Sequence, residues 1–153
     1  MTNIKFLILA LALLAGGWNV MAQSADEDAM LKKKINDAVM QVYNKQLQAE
    51  PGDYATRFAR AYQYFNNDGV DEALADINQA IKDCPEKERE VLYDAYLLRA
   101  KIYDQKGEYD LEYEDLKAAF QINSTNPNVV DMIAKLALKK GDYKTAETNF
   151  NAI

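Results

Sequence analysis

The chain has 153 residues, a formal net charge of −6 at pH 7, one cysteine and no histidine. Lack of histidine removes the commonest general base and the commonest zinc ligand, and a lone thiol excludes a Cys-x-x-Cys pair, a thiolate cage and an internal disulfide. An acidic chain without a basic patch repels phosphate backbones, which argues against a nucleic-acid partner.

The first 22 residues carry a single Lys5, an apolar run from Phe6 to Leu14, Gly16-Gly17 and then Val20-Met21-Ala22. A short charged start, an apolar run and small residues before a cleavage point describe a Sec signal peptide, with cleavage expected after Ala22. The run is shorter than the roughly 20 residues that a spanning helix needs, so no membrane insertion is expected once it is removed. The residue directly after the cleavage point is Gln23 and not Cys, which closes the bacterial lipoprotein route. The expected address is exported, periplasmic first and secreted second.

Asp26 to Glu50 reads as one helix, with Met30, Leu31, Ile35, Ala38, Val39, Val42, Tyr43 and Leu47 at helical spacing. Lys32-Lys33-Lys34 lies beside Asp26, Glu27 and Asp28 and reads as a solvated helix face. Pro51-Gly52-Asp53 breaks the chain, and Asp53 suits the cap of the next helix. Helices are then expected over 54–67, 70–83, 85–106, 109–123, 127–140 and 143–151, with Asp68-Gly69, Gly107 and Gly141 in the turns.

The helices recur with a fixed period. Gly107-Glu108-Tyr109 returns as Gly141-Asp142-Tyr143, a spacing of 34, and Pro51 and Pro85 are also 34 apart. Tyr64 and Ala73 answer to Tyr103 and Glu112 at a spacing of 39, so one junction holds five extra residues, Glu88 to Leu92. These are expected to lengthen the start of the 85–106 helix. A period of this size marks a solenoid. The resulting organisation is a signal peptide over 1–22, an N-terminal capping helix over 23–52 and repeats over 53–153, with units at 54–87, 93–126 and 127–153. The capping helix needs a polar outer face, which its Lys, Asp and Gln residues are expected to supply.

The period and the small and aromatic positions resemble the tetratricopeptide repeat. The positions that carry the likeness are Ala61, Tyr64, Ala73, Ala80 and Pro85 in the first unit. In the second they are Tyr96, Ala100, Tyr103, Gly107, Tyr109, Leu116 and Ala119, and in the third Ala134, Gly141, Tyr143, Ala146 and Phe150. Glu112, Ser124 and Ala137 depart from the family's Ala, Pro and Tyr. The resemblance covers residues 36 to 153 and implies an all-α solenoid of a capping helix plus three helical hairpins. The small residues are expected to let paired helices approach, and the tyrosines to fill the space between hairpins.

The resemblance also implies a concave wall built by the first helix of each hairpin. Residue by residue it comprises Ala55, Phe58, Tyr62, Phe65 and Asn66, then Asp94, Leu97, Lys101, Asp104 and Gln105, then Asn128, Asp131, Lys135, Leu138 and Lys139. Phe58, Tyr62, Phe65, Leu97, Lys101, Asp131 and Lys135 are the expected partner-binding residues. Accessible aromatics suit burial of an apolar side chain from a protein or peptide partner. The competing expectation is that Phe58 and Phe65 pack on the capping helix. The family's carboxylate-clamping Lys and Asn are replaced here by Phe58 and Tyr62, so capture of a chaperone tail is not expected.

No catalytic residue, metal site or cofactor is expected. The clusters Glu86/Glu88/Glu90 and Asp110/Glu112/Glu114/Asp115 lack the calcium-loop spacing and read as solvated faces, and Cys84 reads as a partly buried thiol at a helix end. The sequence thus indicates a non-enzymatic interaction module. The alternative is a structural, self-associating envelope protein, a homo-oligomer joined through an uncapped end at Leu136, Phe150 and Ile153; a minor third reading is an accessory part of an enzyme. Intact-mass measurement of the exported protein is expected to show an N-terminus at Gln23, and a retained Met1 in a membrane pellet would contradict this.

Overall fold

The computed structural model describes the backbone of residues 3–142 and the side chains of residues 26–142. Within that range the chain forms α1 (Asn3–Ala49), α2 (Tyr54–Asn66), α3 (Val70–Asp83), α4 (Arg89–Lys106), α5 (Tyr109–Ile122) and α6 (Pro127–Lys139). The expected helix over 143–151, with Tyr143, Ala146, Phe150 and Ile153, lies outside the described residues. The chain divides into two units, Met1–Gln41 and Val42–Ile153. The described part of the first is helical throughout and belongs to α1. The second holds the last turns of α1 and the repeats.

Local chemistry places the helix boundaries of the second unit. Asp53 caps α2: its Oδ1 accepts from Thr56 N at 3.0 Å and its Oδ2 from Thr56 Oγ1 at 2.7 Å. Those bonds hold the Asp53 carboxyl below the usual carboxylate range. Asn126 caps α6 through Asn128 N, with Pro127 following it in the position where a missing N–H costs nothing. Gly107 and Gly141 have φ of 73° and 74°, the left-handed conformation that ends a helix. The corresponding residue of the first hairpin is Asp68, which takes the same conformation with a φ of 61°.

The insertion is divided differently from the expectation. α4 starts at Arg89 rather than at Pro85. Cys84 is extended, as a residue before proline must be, and Glu88 N then donates to Pro85 O at 2.9 Å to close a turn. Part of the insertion therefore makes a turn, and the rest gives α4 its 18 residues against 13 or 14 in α2, α3, α5 and α6.

The hairpins are α2/α3 and α4/α5, with α6 packed on α5. Ala61, Ala73 and Ala80 are fully or almost fully buried where α2 meets α3, and with Ile77, Ala95, Leu98 and Ile102 they form one apolar cluster. Ala100, Leu116, Ala119, Val129, Ile133 and Leu136 form the next. Tyr64 packs on the first cluster and Tyr96 on the second, as expected of residues that fill space between hairpins. Tyr109 does not: it is 37% exposed, and the Lys139 ammonium lies 5.7 Å from its ring centroid.

A polar device runs between these apolar layers. Arg60 on α2 donates from Nε and Nη2 to both carboxylate oxygens of Asp76 on α3, at 2.6 and 2.7 Å, and from Nη1 to Asn44 on α1 at 2.6 Å. Arg99 on α4 repeats the arrangement with Asp115 on α5, at 2.8 and 2.7 Å, and with Asn78 on α3 at 2.8 Å. Each guanidinium thus ties the two helices of its hairpin together and also reaches the preceding element. Asp76 and Asp115 are almost fully buried, and the faces of Arg60 and Arg99 lie over Tyr64, Tyr96 and Tyr103. The acidic run that reads as solvated in the sequence is therefore partly interior, because Asp115 and Glu112 point into the hairpin. Ile133, buried in α6, stands at the register position of Arg99.

Breaking a buried pair by removing one partner costs more than removing both, because the remaining charge is left without compensation. Arg99→Met is expected to destabilise the fold by about 3 kcal/mol. Arg99→Met with Asp115→Leu should recover most of that loss. Thermal melts followed by circular dichroism check both.

Candidate functional site

α2 and α4, the first helices of successive hairpins, lie against one another. Phe58 and Tyr62 project from α2 one helical turn apart. Asp94, Leu97, Leu98 and Lys101 project from α4 to meet them, and together these six residues line a groove of about 310 Å³. Its floor is Leu98, 3% exposed, with Phe58 packed on the first apolar cluster. Tyr62 is 50% exposed and forms the accessible aromatic wall.

Phe65 is not brought into this groove. It packs with Phe58 against the cluster formed by α2, α3 and α4. Asp131 and Lys135 lie one turn apart on α6 and pair with each other at 2.6 Å. Further along, Lys139 on α6 pairs with Asp104 on α4, and Lys106 pairs with Asp71 at 2.6 Å. Among the described residues neither Asp94 nor Lys101 has an ion-pair partner. The groove therefore joins an apolar floor to one uncommitted acid and one uncommitted base. They are seven residues apart on one helix, about 10 Å along its axis.

Leu136 is 1% exposed and belongs to the second apolar cluster, so it forms no association surface. Burial between α5 and α6 claims it. Its expected companions Phe150 and Ile153 lie outside the described residues. Cys84 is buried at the end of α3, and burial, followed by the nearby Glu88, raises its thiol pKa. A thiol so placed is kept from the reactive thiolate form.

One titratable group stands apart. Glu112 on α5 occupies the register position of Ala73 and is 4% exposed. Burial pushes its pKa up to about 7; Asp104 adds to the rise and Lys139 opposes it. Its Oε2 is buried without a hydrogen-bond partner. The sequence does mark this position, as a carboxylate where the repeat pattern has alanine, but not the burial that gives it a neutral-range pKa. The clamp residues also carry a mark in the sequence. Arg60 and Asp76 are 16 apart, as are Arg99 and Asp115, and both pairs obey the same shift of 39 as Tyr64 and Tyr103.

The tetratricopeptide repeat family matches residues 93–126, the stretch containing α4 and α5. A TPR repeat-containing protein of Methanocaldococcus jannaschii is 29% identical over 116 residues, which is 76% of this chain and 19% of that protein. The chain thus spans about a fifth of the length of that relative. Among solved structures, a crystal structure of MamA superposes with a TM-score of 0.68 at 15% identity, covering 78% of this chain and 67% of that one. A MamA double mutant gives 0.68 at 16% identity, covering 80% and 66%. At that identity the likeness is one of fold.

Glu112 gives the site a pH signature. Its folded pKa lies above the ordinary carboxylate value of 4.5, so the folded state holds the proton more tightly than the unfolded state. Stability then falls as pH rises from about 4.5 to about 7. Glu112→Gln is expected to match the parent near pH 4.5 and to exceed it at pH 8 by about 1–2 kcal/mol, after allowance for solvent screening. Urea melts at the two pH values measure this.

Proposed function

We propose that the chain is a tetratricopeptide-repeat protein that acts as an exported, non-enzymatic interaction module and captures an apolar segment of a partner protein in the groove between α2 and α4. The observation that carries this reading is the combination of Tyr62, half exposed over an apolar floor, with Asp94 and Lys101 left unpaired beside it. Large aromatics in accessible concave sites contribute much of the binding energy at protein interfaces. Side-chain charges at the rim select orientation and partner more than they add affinity. The partner chemistry that fits is a short apolar stretch carrying a basic group toward Asp94 and an acidic group toward Lys101.

Several features support a binding role over a catalytic one. The described residues contain no group of His, Cys, Asp or Glu arranged to hold a metal ion. The group with a neutral-range pKa, Glu112, is buried inside a hairpin and does not line the groove. Export rests on the signal-like first 22 residues, and places the partner in the periplasm or outside the cell. Among the described residues no helix is long and apolar enough to cross a membrane.

Tyr62→Ala removes exposed aromatic surface without opening the core, whereas Phe58→Ala also removes packing. Tyr62→Ala with Lys101→Glu is expected to reduce recovery of the partner in a crosslinking pull-down from the native envelope by about tenfold, with helicity and melting temperature little changed. Full recovery by a folded double variant would place binding elsewhere.

A further inference from the structure

The two joints between successive units share a tie. Lys106 at the end of α4 pairs with Asp71 at the start of α3, and Lys140 at the end of α6 pairs with Asp110 at the start of α5. These are equivalent register positions, with Asp71 and Asp110 39 apart and Lys106 and Lys140 34 apart. Around that common tie the joints differ. The second has Asp104 on α4, Glu112 on α5 and Lys139 on α6, where the first has Phe65, Ala73 and Gln105. Ala73 belongs to the first apolar cluster and Phe65 packs on it. Three uncharged positions at the first joint are thus two acids and a base at the second.

This trio holds one base for two acids. Lys139 gives its ammonium to Asp104, reaching from α6 to α4, and lies over the ring of Tyr109. Glu112 is 4% exposed, and its Oε2 is buried with no hydrogen-bond partner. The helices packed on α5 are α4 and α6. Among the described residues, the charges that face Glu112 from them are Asp104 and Lys139. The other nearby cations are committed: Arg99 to Asp115, Lys106 to Asp71 and Lys140 to Asp110. A buried carboxylate without a donor is costly. An ionised Glu112 must therefore compete with Asp104 for the one ammonium or gain access to water.

We propose that Glu112, Asp104 and Lys139 make the joint between the second hairpin and α6 a proton-operated latch. With Glu112 neutral, Lys139 stays on Asp104 and α6 lies closed on α5. Ionised Glu112 draws Lys139 from Asp104 and favours the state in which α6 lifts from α5 and water reaches the carboxylate. Such an opening is local, below the free energy of global unfolding. Burial holds the closed-state pKa of Glu112 at about 7, and an exposed carboxyl returns to the ordinary value of 4.5. Opening is therefore favoured as pH rises from about 4.5 and levels off above about 7. The groove between α2 and α4 contains none of the three residues, so the latch stands apart from the binding role proposed above.

Hydrogen exchange of the α6 amides in the purified protein between pH 5 and 8 tests this, corrected for the intrinsic pH dependence of amide exchange. Circular dichroism confirms folding, and urea melts give the global unfolding equilibrium at each pH. The α6 amides are expected to open more often than global unfolding allows, with the opening rising about tenfold over that range and levelling near pH 7. Glu112→Gln keeps the shape without the charge and should make α6 opening independent of pH. Asp104→Asn removes a repulsion from ionised Glu112 and should bring the levelling point to lower pH. Lys139→Met removes an attraction and should take it to higher pH. A parent whose α6 opening does not change with pH would overturn the proposal, as would a rise that persists in Glu112→Gln. So would α6 amides that exchange only through global unfolding, or a levelling point that neither Asp104→Asn nor Lys139→Met moves.

Discussion

The two arginine clamps are the constraint on which the second unit depends. A guanidinium presents its donors in a rigid planar fork. Arg60 and Arg99 use that fork to engage both oxygens of Asp76 and Asp115, and have a further donor for Asn44 and Asn78. One side chain therefore fixes the spacing within a hairpin and the step to the preceding element. Apolar contact between alanine-lined helices tolerates sliding, whereas a bidentate pair with a third ligand does not. The aromatic faces of Tyr64, Tyr96 and Tyr103 beside the guanidiniums add contact that lets the charge sit in the interior.

The groove is a consequence of that step. Arg99 and Lys101 belong to the same turn of α4 but lie on different faces, one held inside the hairpin and one free at the groove. Once Arg60 and Arg99 set the placement of α2 and α4, Phe58 and Tyr62 come opposite Leu97 and Leu98. Charges farther along the wall are occupied in pairs, such as Asp131 with Lys135 and Asp104 with Lys139. Among the described residues the half-exposed Tyr62 and the charges Asp94 and Lys101, which have no ion-pair partner, lie together where α2 meets α4.

The departures from the repeat pattern sit in the second and third units. Glu112 brings a carboxyl into a space where Ala73 fits in the first hairpin, and burial there favours its neutral form. Ile133 takes the register place of an arginine, so at that position α6 brings an apolar side chain to the second cluster. The insertion before α4 divides between a turn at Pro85–Glu88 and extra length in the helix. Each change alters a different link, from packing to charge to chain path, while the period survives.

The all-α class, the period of 34, the five-residue insertion, the turn residues and the alternation of small and large positions are all legible in the sequence. They are local or periodic, and helix geometry alone converts them into facing surfaces. The groove residues Phe58, Tyr62, Leu97 and Lys101 are what the resemblance to the tetratricopeptide repeat implies, and they line one groove between α2 and α4. Burial among charged residues does not follow. Asp110, Glu112, Glu114 and Asp115 look alike as a run, yet Glu112 and Asp115 are inside and Glu114 pairs outside with Lys117. Phe65 looks like a groove residue and Leu136 like an open end, and each is claimed by a cluster built from distant segments. The reason is physical: which side of a helix is interior depends on the angle at which its neighbours cross it. That angle is set by contacts between residues far apart in the chain, such as Arg99 with Asp115 and Asn78, and so only the tertiary structure decides it.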